Sequence, residues 1–123
     1  CDGWDGIIKQ LNGDTKNIEG ATYLTPFVAT DTSEKVQAFV NTYKEKYNAE
    51  PDQFAADGYD AVYAIKAAIE KAGDDTSNEA LVSAMTQISV NGLTGDMTFD
   101  ENGEPNKSAK VVVIKDGQYV AQN

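Results

Sequence analysis

The sequence predicts an α/β fold with three main helices and a small sheet of short strands. Three observations carry this reading. Two long segments and one shorter segment repeat apolar residues at helical spacing. An alternating, β-branched stretch stands before them. After them come short apolar runs cut by Asn-Gly, Gly-Glu-Pro and Asp-Gly, the last of which signals a hairpin.

The elements follow in order. Ile7, Ile8 and Leu11 are spaced for one helical turn, ended by Asn12-Gly13-Asp14. Residues 21–25 read as a strand, which should leave its sheet at Pro26 because proline has no N–H for the ladder. The first long helix is expected over 33–47, with Asp31 and Glu34 as a capping box. Val36, Phe39, Val40, Tyr43 and Tyr47 fall on one face of it. The second is expected over 52–72, with Pro51 at its start and Gly73 at its end. It has two apolar faces: Tyr59, Val62, Ile65 and Ile69 on one, and the small residues Ala61, Ala64 and Ala68 on the other. Gly58, unfavourable within a helix, marks a close backbone approach or a break near 57. The third helix spans 76–88, with Thr76 and Glu79 as its box and Leu81, Val82, Met85 and Ile88 as its buried face. Residues 97–99 read as a strand, Asp100–Pro105 as a turn, and 110–120 as a hairpin about Asp116-Gly117.

Composition excludes several functions. The 123 residues are 41% apolar, enough for a core and the size of one domain at most. Twenty acids against ten lysines, with neither arginine nor histidine, give a net charge of −10. Such a surface repels polyanions and lacks the preferred fork for phosphate and base edges, so nucleic acid is not an expected partner. Without histidine the commonest general base and transition-metal ligand are missing. No metal or cofactor is expected. No apolar run approaches the ~20 residues of a membrane span. The lone Cys1 forms no internal disulfide and does not decide the compartment. It reads as a small buried or boundary residue, with an acylated lipoprotein cysteine as the lesser alternative.

Each motif has a bland reading beside the sharp one. Asp100–Glu104 resembles an acidic calcium loop, but Gly103 comes too early and Val111 stands where the closing glutamate belongs, so a solvated turn is expected. Asp74-Asp75 read as an exposed pair, and Asp60 as a solvent-facing helix acid. Acid–base catalysis needs two convergent carboxylates, and nothing in the pattern selects a pair. No phosphate-binding, dinucleotide or nucleophile-elbow motif occurs. The remaining candidate is the opening "CDGWDG", where Asp2 on a glycine-loosened loop can take an ammonium group, with Gly3 permitting close approach and Trp4 nearby.

The string "PDQFAADGYDAVYAIKAAIEKAG", followed by "GLTGDMTFDENGEPNKSAKVVVIKDGQYV", resembles the C-terminal part of the type I periplasmic binding proteins, and more narrowly the branched-chain amino acid receptors of ABC importers. The resemblance runs through nearly the whole chain in order. It implies a two-lobed fold that closes on its ligand by hinge motion, with 1–28 and 108–123 in one lobe and 29–107 mostly in the other. It implies an extracytoplasmic solute-binding role, an amino acid as ligand and an importer's permease as partner, without catalysis. It assigns the ligand ammonium to Asp2, a place beside the ligand to Gly3 and Trp4, and hinge positions to Pro26, Phe27, Phe99 and Asp100. Family members are much longer than this chain. A fragment is therefore expected, lacking the wall that holds the ligand carboxylate, binding poorly by itself and prone to self-association. A regulatory sensor of the same fold is the alternative within the binding class. A carboxylate-dependent hydrolase or a purely structural module is the alternative outside it.

Overall fold

The computed structural model describes residues 4–122. They form two compact units. One comprises the chain up to Ala55 together with the segment from Ala109 onward, and the other is Ala56–Ser108.

The first unit is built on an antiparallel sheet. Its strands are β1 (Thr22–Thr25), β4 (Lys110–Lys115) and β5 (Gln118–Gln122), in the order β1-β4-β5. Thr22 faces Val113 and Thr25 faces Lys110, while Lys115 faces Gln118 across the β4–β5 turn. That turn is Asp116-Gly117, with φ of 51° and 73°. Positive φ at both positions is what a tight two-residue hairpin demands. Period-two alternation puts Tyr23, Thr25, Val112 and Ile114 on the buried face. The one-turn helix α1 (Ile7–Gln10) starts from Gly6 at φ 83°, a left-handed position that glycine occupies without strain.

Helix α2 (Glu34–Tyr47) belongs to the same unit. Val36 and Val40 are buried, and Phe39 meets Phe27 edge-on at 6.0 Å between centroids. Tyr47 is exposed, so the expected apolar stripe is buried only over its first half. The anticipated capping box is replaced by a turn. Ser33 is the N-cap without a side-chain bond, and Asp31 Oδ1 accepts from the Ser33 N–H at 2.8 Å. The other Asp31 oxygen takes the Lys110 ammonium from β4.

The second unit holds most of helix α3 (Gln53–Ala72), helix α4 (Asn78–Met85) and a hairpin of β2 (Ser89–Asn91) with β3 (Asp96–Thr98). Its core joins Ala64, Ala68 and Ala84 to Ile88, Val90 and Met97. Of the two apolar faces of α3, the small-residue face is the buried one. Val62, Ile65 and Ile69 stand in solvent. Alanines let the α4 segment and the hairpin approach the helix closely, which isoleucine would prevent. Helix α3 runs unbroken through Gly58, where an added Cβ would meet nothing within 4 Å. Helix α4 ends three residues before the expected limit. Ser89–Asn91 then pairs with β3, a strand not anticipated from the pattern.

Candidate functional site

The expected ligand contacts Asp2 and Gly3 lie outside the described residues. Trp4 is described, and its indole stacks on Tyr23 with centroids 6.4 Å apart and planes 24° from parallel. Tyr23 in turn meets Tyr119 edge-on, at 6.1 Å and 79°. Tyr119 is pinned through its hydroxyl, which accepts from the Ile8 N–H at 3.2 Å and donates to the Trp4 carbonyl at 3.4 Å. The opening loop, α1, β1 and β5 thus share one aromatic cluster.

Beside this cluster the first unit carries a cleft of about 730 Å³. Tyr23, Phe27 and Tyr119 supply aromatic walls, Ile8, Val28 and Pro51 aliphatic ones, and Asp5 and Gln53 polar ones. Asp5 Oδ2 accepts from the Gln53 N–H at 2.7 Å, at the start of α3. Asp52 caps the same turn through the Ala55 N–H at 2.9 Å, a carboxylate where the helix dipole favours one. Gln53 is buried, and its Oε1 accepts from the Thr25 hydroxyl at 2.8 Å. Burial raises the pKa of the Tyr23 phenol above its ordinary value, and the charge of Asp5 and the Tyr119 neighbour raise it further. The phenol therefore stays protonated at every physiological pH.

The four hinge candidates are placed as follows. Phe27 is buried against Phe39, with Pro26 half-buried before it at the end of β1. Phe99 bridges to Pro105, and Asp100 Oδ1 accepts from the Asn102 and Glu104 N–H groups at 2.9 Å each. Those bonds hold the Asp100 carboxyl below its usual pKa. Both pairs lie within a unit, whereas the unit boundaries fall at 55/56 and 108/109. The 100–105 segment is the solvated turn that its spacing suggested. Among the described residues no group of three or more potential metal ligands converges. No helix is long and apolar enough to cross a membrane.

Asp60 corrects the sequence reading. It is not solvent-facing but buried in the second unit. Oδ1 accepts from the Leu93 N–H at 2.8 Å, and Oδ2 from the Thr94 N–H at 2.8 Å and the Thr94 hydroxyl at 2.7 Å. Gly92 is the glycine of close approach that Gly58 is not. A Cβ there would lie 2.5 Å from Asp60 Oδ2 and 2.8 Å from Met97 Cε. The helix acid thus clamps the β2–β3 turn. Its partners stand more than 30 positions along the chain, so no local pattern reveals it.

This chain matches the family described as periplasmic binding protein over residues 1–118. It belongs to that family. Among solved structures, a leucine-binding protein, LivK, from Thermotoga maritima superimposes with a TM-score of 0.80 and is 33% identical, covering 99% of this chain and 35% of its own. The branched-chain amino acid binding protein LivJ of Streptococcus pneumoniae, in complex with isoleucine, has a TM-score of 0.75 at 25% identity, covering 98% of this chain and 36% of its own. A solute-binding protein from R. palustris, in complex with benzoate, shares the fold with a TM-score of 0.80 at 24% identity, covering 97% of this chain and 32% of its own. This periplasmic binding protein chain therefore spans about a third of the length of these structures, and its α/β architecture is part of the type I fold.

Proposed function

We propose that this periplasmic binding protein chain supplies one ligand-contacting wall of an extracytoplasmic receptor. The receptor presents an amino acid with a branched apolar side chain to the permease of an ABC importer, and it catalyses no reaction. The observation that carries the reading is the match over residues 1–118, together with the resemblance to leucine-binding and isoleucine-bound proteins across nearly the whole chain. The acidic composition without arginine or histidine agrees with it, since a carboxylate is the natural partner of an ammonium ion and charge-assisted bonds are the stronger polar contacts. In this reading Asp2 takes the ligand ammonium, Gly3 lets the backbone close on it, and Trp4 borders the side-chain pocket. The benzoate complex of a similar fold sets the competing ligand class, an aromatic carboxylate without an amine.

The test is calorimetric titration of the product of the full reading frame that encodes this chain. Isoleucine, leucine, valine and benzoate are added in turn. Saturable binding of the branched-chain amino acids, tighter than that of benzoate, is expected. Binding of benzoate alone, or of none of the four, overturns the ligand assignment.

A further inference from the structure

The cleft of the first unit has a chemistry that the transport reading does not use. Tyr23 and Tyr119 meet at 79°, so their rings form two adjoining walls of a box rather than a flat stack. Both rings and Phe27 line the cleft. Tyr119 presents only its ring, because its hydroxyl is committed to Ile8 and Trp4. Tyr23 differs. It is nine-tenths buried, at 9% exposure, and among the described residues its hydroxyl makes no hydrogen bond, although no fully buried side-chain oxygen or nitrogen lacks a partner. The phenol oxygen is thus open to the cleft its ring lines. The charged groups on the walls are Asp5, Asp52, Glu50 and Lys9. Glu50 is paired with Lys44 at 2.8 Å, and Asp52 caps α3, which leaves Asp5 as the carboxylate next to the rings. Its negative charge is felt at the Tyr23 phenol, which also remains protonated and able to bond a ligand oxygen.

We propose that this cleft binds a small quaternary ammonium ion carrying a hydroxyl group, its methyl groups against the Tyr23, Tyr119 and Phe27 rings and its hydroxyl on Tyr23 Oη. Aromatic faces attract a cation through their quadrupoles, by an amount that grows as the site is desolvated. Asp5 adds charge without offering the strong N–H pairing that would select a primary amine, since one of its oxygens already serves the Gln53 N–H. The site lies wholly within the first unit, and the inference does not rest on the proposed transport role.

The test uses the 123-residue chain, with choline as probe and 3,3-dimethylbutan-1-ol, the same shape without the charge, as comparator. Amide chemical shifts are followed during titration. Choline is expected to give saturable shifts confined to residues around Tyr23, Phe27 and Tyr119, with the alcohol binding about tenfold more weakly. Tyr23→Phe keeps the ring. It is expected to weaken choline several-fold while leaving tetramethylammonium, which has no hydroxyl, unchanged. Asp5→Asn keeps the oxygen that accepts from Gln53 and is expected to narrow the gap between choline and the alcohol. Equal binding of choline and the alcohol, or no saturable shift with choline, overturns the proposal. That comparison is made on the unaltered protein and stands even if a variant fails to fold.

Discussion

Replacing Asp60 with alanine should be among the most damaging single changes in the second unit. The substitution removes the acceptor of three hydrogen bonds at 2.7–2.8 Å and leaves two backbone N–H groups and one hydroxyl facing a hole. Each orphaned buried donor costs about 1–3 kcal/mol, which for three gives about 3–9 kcal/mol as an upper range. Water entering the vacated space recovers part of this, so a loss of about 3–4 kcal/mol is expected. The charged carboxylate had its own burial cost, and removing it pulls the loss toward the lower end. Urea denaturation followed by far-ultraviolet circular dichroism measures the change. Hydrogen exchange at the Leu93 and Thr94 amides localises it, since both should lose protection before the rest of the unit. Asp60→Asn keeps one carbonyl acceptor but turns an NH2 toward a donor, and should fall between wild type and alanine. A loss below about 1 kcal/mol for Asp60→Ala, with both amides still protected, would refute the clamp.

Three further outcomes follow from the same structure. Gly92→Ala should destabilise by about 2 kcal/mol or more, because its Cβ cannot fit 2.5 Å from Asp60 Oδ2, whereas Gly58→Ala should stabilise by about 0.5–1 kcal/mol; thermal melts of the two variants should shift in opposite directions. Ala64→Leu should overpack the core at a cost of about 1–3 kcal/mol, while Ile65→Lys on the exposed side should change stability by less than about 0.5 kcal/mol, both read by urea titration. The Lys110 ammonium holds the Asp31 carboxyl below its ordinary pKa, so the folded value lies below the unfolded one. The stability it contributes, about 1 kcal/mol or less, is present above the ordinary carboxylate range and is lost as pH falls through the folded pKa. Lys110→Met should therefore be less stable than wild type at neutral pH, with the difference vanishing in acid.

How much of this was legible in the sequence depended on how local the cause was. Helices α2 and α3 announced themselves through period, and the β4–β5 hairpin through Asp116-Gly117, because a two-residue turn with positive φ admits few residue types. Strand β2 was missed because Ile88 and Val90 continue the apolar run of α4, and three residues are too few to show alternation. The buried side of α3 was not decidable from its period, which marks two apolar faces equally. The choice lies with what packs there, and Ala84, Ile88 and Met97 take the small-residue side. The candidate site was legible only in part. The opening loop drew notice through its composition, while Tyr23 and Tyr119 read as ordinary strand residues. Their meeting, like the Asp60 clamp, joins positions remote in the chain.

The receptor account turns on whether Asp2 pairs with a ligand ammonium, and isoleucine calorimetry on the full reading-frame product with Asp2→Ala measures this directly. A buried charge pair broken on one side costs about 2–5 kcal/mol, so the affinity should fall by about 30-fold or more while the melting transition of the unliganded protein stays in place. Undiminished isoleucine affinity in that variant would contradict the account.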